Sequence, residues 1–428
     1  MNEKLDIVAV TWQTPITGGG GLRAYRSIKE YVKYFNTYLF ITWRVWNNKA
    51  LLQKSIKYLY ELKSCGVRFA GFSFISGRTL RFLKVFGRRI LETSMLLLPQ
   101  LMRVKVGLPK FDAIIALHED WDVVYVGHAL ARSFNIPSIV FLHNPPFFGS
   151  NKRVSNILKA ITLWRMLQSS NVIERYLLKA EASTTIKGGH FIGKKHYEEI
   201  LQGYTAVIGI SKATAVEMGG AWSSKMIYFD PGVSLDEEDM GTIRSIKERV
   251  KEKEAYVVFG GRPTAEKGVA EALVSFKIIS KHLPKLKLII TGRIEPKTLL
   301  YINRACKKLA IEDKVVFTGF VPREKRFEIV AKARLMLYPS HVDAFSYAVL
   351  ESLHLGTPVV AYKIPALEIY YGKSPGVELV EEGDIEALTV KAIDVLEKSV
   401  EAVEPPKLKS WREIMNEEIE IIRKLISK

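Results

Sequence analysis

The segment Val257–Gly268, with the sequence VVFGGRPTAEKG, decides the fold of the second half of the chain. It reads as an apolar strand that ends at Phe259, followed by two glycines and then by the cations Arg262 and Lys267. In open α/β sheets, the carboxyl ends of the strands line the ligand-binding edge. Arginine offers a planar fork and lysine a point charge, so the pair is suited to a diphosphate. The alternative is a turn with two solvated cations.

A second stretch, Tyr338–Ala361, has the sequence YPSHVDAFSYAVLESLHLGTPVVA and supports the first interpretation. A strand ends near Pro339, Asp343 follows, and residues 345–347 are predicted to open a helix. The free N–H groups and the positive dipole end of a helix N-terminus favour phosphate. Glu351 lies inside this helix, where its carboxylate is suited to accept hydrogen bonds from two ribose hydroxyls. Taken singly, the two acids are equally compatible with a capping residue and a helix-surface acid.

Short apolar runs alternate with helical periodicity along the whole chain, which predicts parallel sheets. In the first half, the predicted strands are Leu5–Thr11, Tyr38–Thr42, Phe111–Leu117, Ser138–Leu142 and Ala206–Ile210. In the second half, they are Ala255–Phe259, Leu286–Thr291, Val315–Thr318, Arg334–Tyr338 and Pro358–Ala361. We predict an α/β protein with a Rossmann-like domain over residues 1–235, a charged connector over 236–254, a second Rossmann-like domain over 255–405 and a final helix over 406–428 that packs back on the first domain.

The net charge of +18 is concentrated in the first half of the chain. Up to Leu235 there are 31 Lys and Arg against 15 Asp and Glu, a net charge of +16, whereas the remainder carries +2. Two basic segments contribute most, Arg78–Lys110 and Asn151–Ile200. Such an asymmetry indicates a domain that faces an anionic surface, either a membrane or nucleic acid. The alternative is a set of ordinary solvated helices.

The N-terminus does not resemble a signal peptide, and no apolar run is long enough to suggest a membrane-spanning helix. We therefore expect a cytoplasmic protein whose contact with the inner face of the membrane is peripheral. The two cysteines, Cys65 and Cys306, are far apart and form no CxxC pair. Neither a zinc site nor a disulfide framework is predicted.

These motifs resemble the family 4 glycosyltransferases, whose GT-B fold pairs two Rossmann-like domains across a central cleft. The resemblance is strongest from Val257 to Leu388 and runs through GGRPTAEKG, VVFTGF, the Asp343–Glu351 segment, GTPVV, Glu368 and EEGD at residues 381–384. A fainter match covers TGGGGL, GISKATAVEM at Gly209–Met218 and DPGV at Asp230–Val233. The helix after Ser410-Trp411 also fits, since the last helix of this fold crosses back to the first domain.

The resemblance implies a retaining hexosyltransferase that moves a sugar from a nucleoside-diphosphate sugar to an acceptor. The positive charge of the first half favours a lipid-linked or membrane-proximal acceptor, and an anionic glycan or phosphosugar would also suit it. By the resemblance, Arg262 and Lys267 hold the diphosphate, Glu351 holds the ribose, and Asp343 holds the sugar hydroxyls. The backbone amides around Ser346 and Tyr347 complete the phosphate site. The implied donor-binding residues are Gly19, Gly20, Arg262, Lys267, Phe320, Asp343, Phe345, Ser346, Tyr347 and Glu351.

The chain departs from the family pattern near the donor sugar. It has Asp343 where a glutamate is usual, and Ala344 and Ser346 where glycines are usual. A shorter acid moves the carboxylate by about one bond length, and the added Cβ atoms narrow the pocket. The identity of the donor sugar is therefore the least transferable implication.

The implied catalytic residues are Arg262, Lys267, Asp343 and His143. Because cations stabilise the leaving diphosphate in place of a metal, neither a cofactor nor a divalent ion is expected. His118 and His143 follow two predicted strands and are the acceptor-side candidates, since an imidazole is suited to orient a hydroxyl. A structural role for each histidine is the alternative.

Four other classes of protein share some of these features. Asp120-Trp121-Asp122 has the DxD form of metal-dependent transferases, although a surface turn is the favoured interpretation. A GT-B nucleotide-sugar epimerase would share the donor site but need no acceptor. A basic nucleic-acid-binding protein would suit the charge, but no recognition motif is present. The glycines at 18–21 do not fit the G-x-G-x-x-G pattern, which argues against a nicotinamide enzyme.

Overall fold

The chain forms two α/β units. The structure is a computed structural model, and it describes residues 4–12, 14–42, 45, 48–72, 110–169, 171, 173–174, 194–292, 294–398 and 402–427. The first unit contains the described residues of 1–147, 192–233 and 409–428. The second contains those of 148–191 and 234–408. Each unit is thus assembled from separate pieces of the sequence.

The strands and helices alternate along the chain, as expected for parallel sheets. The strands are β1 Asp6–Thr11, β2 Asn36–Ile41, β3 Arg68–Phe72, β4 Ala113–Ala116, β5 Ser138–Leu142, β6 Ala206–Gly209, β7 Ile227–Tyr228, β8 Tyr256–Phe259, β9 Lys287–Thr291, β10 Val315–Gly319, β11 Leu335–Tyr338, β12 Val359–Tyr362 and β13 Val377–Val380. The labelled helices are α1 Gly19–Tyr34, α2 Lys49–Ser64, α3 Trp121–Phe134, α4 Asn151–Gln168, α5 Lys212–Met218, α6 Trp222–Lys225, α7 Glu237–Arg249, α8 Val269–His282, α9 Pro296–Leu309, α10 Arg323–Lys332, α11 Tyr347–His354, α12 Pro365–Tyr371, α13 Ile385–Glu397 and α14 Trp411–Ile426.

Each unit is built on one parallel sheet. The first sheet has the order β3-β2-β1-β4-β5-β6-β7, and the second has the order β10-β9-β8-β11-β12-β13. In β1, Val8 and Val10 join one apolar cluster while Ile7 and Ala9 join another, because successive side chains point to opposite faces of a strand. The strand pairs of both sheets are parallel, which confirms the prediction of parallel sheets, and apolar clusters cover both faces of the first sheet.

The C-terminal helix α14 belongs to the first unit. It begins with a capping box, in which the side chains of Ser410 and Glu413 satisfy each other's backbone N–H groups. On its buried face, Glu418 forms an ion pair with Arg23 of α1 and accepts a hydrogen bond from Tyr31. The Arg23 and Glu418 side chains are 1% and 0% exposed, so this contact lies in the core of the unit.

The first-unit core also places the guanidinium of Arg23 beside two parallel aromatic rings, whose centres are 6.3 Å apart. Its central carbon lies 5.5 Å from the ring centre of Phe141 and 5.8 Å from that of Phe229. Arg23 Nε donates to the Gly232 carbonyl at 2.9 Å. One buried cation therefore joins helix α1, helix α14, strand β5 and the loop after β7.

The predicted domain boundaries need two corrections. Helix α4 was assigned to the first domain, but it belongs to the second unit, where Lys308 Nζ on α9 donates to the carbonyls of Met166 and Ser169 at 2.9 and 3.0 Å. Residues 237–249, predicted to lie in a connector, form helix α7, which is capped by Asp236 and buries Ile243 and Ile246. The few apolar residues of this charged segment stand at helical spacing, and their burial is enough for the segment to pack as a helix.

The ten predicted strands are all present, with ends shifted by at most two residues. Strands β3, β7 and β13 were not predicted; β3 and β13 lie at sheet edges, and β7 is only two residues long. Most of the basic segment Arg78–Lys110 lies outside the described residues. Within the described part of the chain, no helix is both long and apolar enough to cross a membrane.

Candidate functional site

The segment Arg262–Lys267 follows β8 at the carboxyl edge of the second sheet, where it meets the loop after β11. Gly268 makes this approach close: its φ is +75°, and a Cβ there would lie 1.9 Å from the Pro339 carbonyl oxygen. Only glycine fits such a position. Gly268 therefore allows Lys267 to lie next to the loop of the Tyr338–Ala361 stretch.

Lys267 contacts the loop that carries Asp343. Its Nζ donates to the Val342 carbonyl at 2.6 Å and to Asp343 Oδ2 at 2.9 Å. Tyr338, at the end of β11, donates its hydroxyl to the same carboxylate. Burial, reinforced by the charge of Asp343, raises the pKa of Tyr338 well above its usual value, so the hydroxyl keeps its proton. The structure therefore brings together Lys267 and Asp343, for which different donor contacts were predicted.

The N-terminus of helix α11 lies a few residues after Asp343. Ser346 caps the helix with φ +73° and ψ +91°, and its Oγ accepts from the Val349 N–H at 3.3 Å. Tyr371 donates to the Ser346 carbonyl at 2.9 Å, which fixes this strained residue. The ring of Phe345 is buried against Tyr370 and Tyr371. Phe345 is therefore placed to contribute its backbone to a ligand rather than its ring.

Glu351 is buried within α11, with 2% exposure, which excludes the interpretation of a helix-surface acid. Arg323 and Arg326 of α10 each contact its Oε1, at 2.9 and 2.8 Å. Arg323 also pairs with Asp239 of α7, at 2.8 Å through Nη2. Burial alone would lower the pKa of Arg323, but the charges of Glu351 and Asp239 outweigh burial and raise it.

The two arginines were missed by sequence reasoning. A usable signal was present, since Arg323 and Arg326 stand three residues apart in REKR and therefore share one helix face. Two other predicted donor residues are exposed: Arg262, and Phe320, which is 72% exposed. Their side chains remain accessible to a ligand in this unit.

The remaining candidates lie in the first unit. Gly19 and Gly20 open α1, and at Gly21 a Cβ would lie 2.2 Å from the Thr14 carbonyl oxygen. His118 and His143 follow β4 and β5, and their ring centres are 4.6 Å apart in an edge-to-face contact. The structure thus pairs the two histidines, which the sequence left as alternatives.

Both imidazoles are buried, with 0% and 3% exposure. Burial lowers the pKa of His118 to about 3 and that of His143 well below its usual value, and the charge of Arg23 acts in the same direction. Next to them, burial and Asp120 raise the pKa of Glu119 to about 7. Glu119 Oε2 accepts a hydrogen bond from the backbone N–H of His143 at 2.9 Å. The two histidines are therefore neutral at physiological pH.

The DxD segment is not a surface turn, contrary to the favoured interpretation. Asp122 lies in the first turn of α3 with 2% exposure, and Trp12 Nε1 donates to Asp120 Oδ2 at 2.8 Å. The helix begins at Trp121, so Asp120 precedes its first turn and Asp122 points into the core. Across the described residues, no group of three or more His, Cys, Asp and Glu side chains has a metal-binding arrangement.

Two parallel-sheet α/β units, with a cationic loop and a helix N-terminus at the edge of the second sheet, define a protein of the GT-B class. Residues 242–414 match the family model described as glycosyl transferases group 1. The prediction of a GT-B fold is confirmed, and the predicted resemblance to glycosyltransferases is confirmed over residues 242–414.

The chain is also similar to individual proteins. It is 26% identical over 282 residues to an uncharacterized glycosyltransferase of Methanocaldococcus jannaschii, covering 62% of each chain. It is 27% identical over 149 residues to alpha-monoglucosyldiacylglycerol synthase of Streptococcus pneumoniae, covering 32% of this chain and 33% of that protein. It thus spans less than two thirds of the length of these relatives. Among solved structures, Anabaena HepE in complex with UDP and glucose matches with a TM-score of 0.60 and 14% identity over 97% of this chain and 99% of that one.

Proposed function

We propose that this chain is a retaining glycosyltransferase that moves a sugar from a nucleoside-diphosphate sugar to a lipid-linked or membrane-proximal acceptor without a metal. The observation that carries the proposal is the contact of Lys267 with Asp343 at the N-terminus of α11, inside the group 1 domain. It sets a cation and a carboxylate side by side, as a diphosphate next to a sugar requires. The uridine diphosphate and glucose bound to HepE support a donor of this class.

In this proposal, the bond between the anomeric carbon and the diphosphate oxygen breaks, and the diphosphate leaves with the electron pair. The acceptor oxygen attacks from the same face and forms the new bond to the anomeric carbon, and its proton passes to the leaving diphosphate oxygen. Lys267, the exposed Arg262 and the amides at the start of α11 stabilise the negative charge that develops on the diphosphate. Asp343 accepts hydrogen bonds from sugar hydroxyls.

Glu351 keeps its ribose role in this proposal. Its carboxylate has about four lone-pair sites; Arg323 and Arg326 both contact Oε1, and Arg326 also lies 2.8 Å from Oε2. In this proposal, a remaining lone pair accepts a hydrogen bond from a ribose hydroxyl. The two arginines also fix its orientation. In the first unit, the neutral imidazole of His143 is proposed to orient the acceptor hydroxyl, with His118 beside it.

The test is a panel of UDP-, GDP- and ADP-sugars, with release of the nucleoside diphosphate as the readout. We expect release from one donor class to continue in EDTA and to increase with vesicles that contain diacylglycerol, the lipid in the name of the pneumococcal relative. Release abolished by EDTA would contradict the metal-free mechanism. Donor turnover that is independent of every acceptor would favour the epimerase alternative.

The lipid part of the proposal is supported by an exposed face of α2 in the first unit. Lys54, Lys57 and Lys63 are exposed there, together with Ile56 at 40% and Tyr60 at 68%. Phe69, on the adjoining edge strand β3, is 51% exposed. Lysines near an anionic bilayer contribute about 1 kcal/mol each, and aromatic side chains favour its interface. The charge and the aromatic groups together suit an anionic membrane surface.

We expect the protein to float with vesicles that contain phosphatidylserine but not with vesicles of phosphatidylcholine alone, and to be released by salt. The double variant Lys54→Glu, Lys57→Glu should weaken this binding by about 2 kcal/mol or more, because two attractive charges become repulsive. The control variant Lys281→Glu, Lys307→Glu makes the same charge change at exposed positions of the second unit. Equal loss in both variants would contradict a specific membrane face.

A further inference from the structure

A buried histidine that the mechanism above does not use lies in the loop after β11, close to Asp343. His341, two residues before Asp343, is 1% exposed. Its Nε2 lies 2.9 Å from Glu271 Oε1 of α8, and its Nδ1 lies 2.8 Å from Glu382 Oε1 in the turn before α13. Because a carboxylate only accepts, both contacts are hydrogen bonds only when both ring nitrogens carry a proton.

The charges around His341 balance when it is protonated. Arg153 of α4 forms an ion pair with Glu382 and donates to the His341 carbonyl. Two cations then face the two carboxylates of Glu271 and Glu382, whose side chains are 3% and 6% exposed. Loss of the imidazole proton would leave one net negative charge buried, which is costly.

The other neighbours of His341 do not change this balance. The ring of Tyr362 on β12 lies 5.2 Å from the imidazole, and burial raises its pKa, so its hydroxyl stays neutral. Asn156 of α4 donates to Glu382 Oε2 at 2.7 Å and carries no charge. The backbone N–H of His341 donates to the Glu266 carbonyl at 2.9 Å, which connects the histidine to the residue before Lys267.

We propose that His341, with both ring nitrogens protonated, is a positioning residue for the donor diphosphate. Its two ring N–H groups hold the loop of Val342 and Asp343 against Lys267. The affinity for the diphosphate therefore depends on the proton that makes the imidazole a cation. This inference rests on the proposed function. It concerns a residue that acts through Lys267 and does not itself touch the donor.

The expected pH dependence follows from the surroundings of His341. Burial alone would lower its pKa, but the hydrogen bonds and charges of Glu271 and Glu382 outweigh burial and raise it above 6.5. The stabilisation is therefore full below about pH 6.5 and is lost as the pH rises through the raised pKa. Glu382 is held ionised in this window, since contacts with His341, Arg153 and Asn156 outweigh burial and lower its pKa.

The first measurement is the titration of His341 by nitrogen NMR on the full chain, assigned by difference from His341→Gln. We expect both ring nitrogens to be protonated at about pH 6.5, with a midpoint above that value. This readout does not depend on any donor. A single protonated nitrogen at about pH 6 would overturn the proposal.

The second measurement is the affinity for UDP from about pH 6 to about pH 9, expressed as the ratio of wild type to His341→Gln. The ratio cancels the titration of UDP itself, whose phosphate also ionises near pH 6. We expect wild type to bind about 3- to 30-fold more tightly at the acid end and the ratio to approach one as the pH rises. A ratio that does not change with pH would overturn the inference.

The variant Glu271→Gln distinguishes a positioning role of His341 from a purely structural one, since it retains the imidazole and removes one of its two carboxylate partners. The midpoint of its affinity profile should move to lower pH, whereas a purely structural role would lower affinity without moving it. Cys306→Ala, in the core of the same unit, should leave the midpoint unchanged. If wild type binds none of UDP, GDP and ADP, the proposed function fails and this inference fails with it. Binding with an unchanged midpoint rejects the inference alone.

Discussion

Lys267→Ala is expected to lower kcat/KM for the donor by about 10²- to 10³-fold, the usual cost of removing a group that stabilises developing charge. In the structure, Lys267 Nζ contacts both the Val342 carbonyl and Asp343 Oδ2. The substitution removes the cation and also leaves Asp343, 9% exposed, without its ion-pair partner. Steady-state release of the nucleoside diphosphate measures the rate, and calorimetry with UDP measures the affinity.

Two variants make this result specific. Lys285→Ala removes an exposed lysine of the same unit and should leave turnover unchanged. Lys267→Arg retains the charge but replaces a compact ammonium by a wider fork, so we expect partial activity. If Lys267→Ala turned over the donor as fast as Lys285→Ala does, the diphosphate site would not be at Lys267.

Glu418→Ala should lower the free energy of unfolding of the first unit by about 3–5 kcal/mol, because it leaves the Arg23 guanidinium buried without a counter-charge. It also removes the acceptor of the Tyr31 hydroxyl. Chemical denaturation followed by circular dichroism measures the loss. The effect should be larger than that of any exposed ion pair in the described part of the chain.

The matched control is Glu417→Ala, one residue earlier on the same helix. Glu417 pairs with Lys409 but is 37% exposed, so we expect a loss of at most about 1 kcal/mol. The double variant Arg23→Met, Glu418→Leu should recover most of the stability, since apolar groups of similar volume often replace a buried pair without cost. Equal effects of Glu417→Ala and Glu418→Ala would contradict a role for burial.

The sequence predicted those parts of the fold that depend on local pattern. The strand before Gly260, the helix after Asp343 and the two parallel sheets follow from apolar runs and turn residues that are neighbours in the chain. Helix α7 was missed because its charge resembles that of a connector, although Ile243 and Ile246 stand at helical spacing. The prediction was wrong where few apolar residues had to outweigh many charged ones.

In the candidate site too, the sequence identified the residues that lie in local motifs but not the partners that come from distant parts of the chain. Lys267 and Asp343 were identified from motifs and are in contact in the structure. Arg323, which holds Glu351, and Arg153, which reaches Glu382, come from elements distant in sequence, so no local pattern indicates their partners. His341 stands inside a recognised motif, but only the fold shows that two carboxylates surround it.

Helices α4 and α14 each belong to the unit formed mainly by the other half of the sequence, which affects how the gene can be divided into fragments. A fragment ending at residue 235 would carry α4 without the sheet of the second unit, and would leave Arg23 without Glu418. The complementary fragment would carry α14 but lack the helix that supplies Arg153. We therefore expect neither half of the chain, divided at residue 235, to fold by itself. A stable single-unit protein would need its discontinuous pieces joined in a new order.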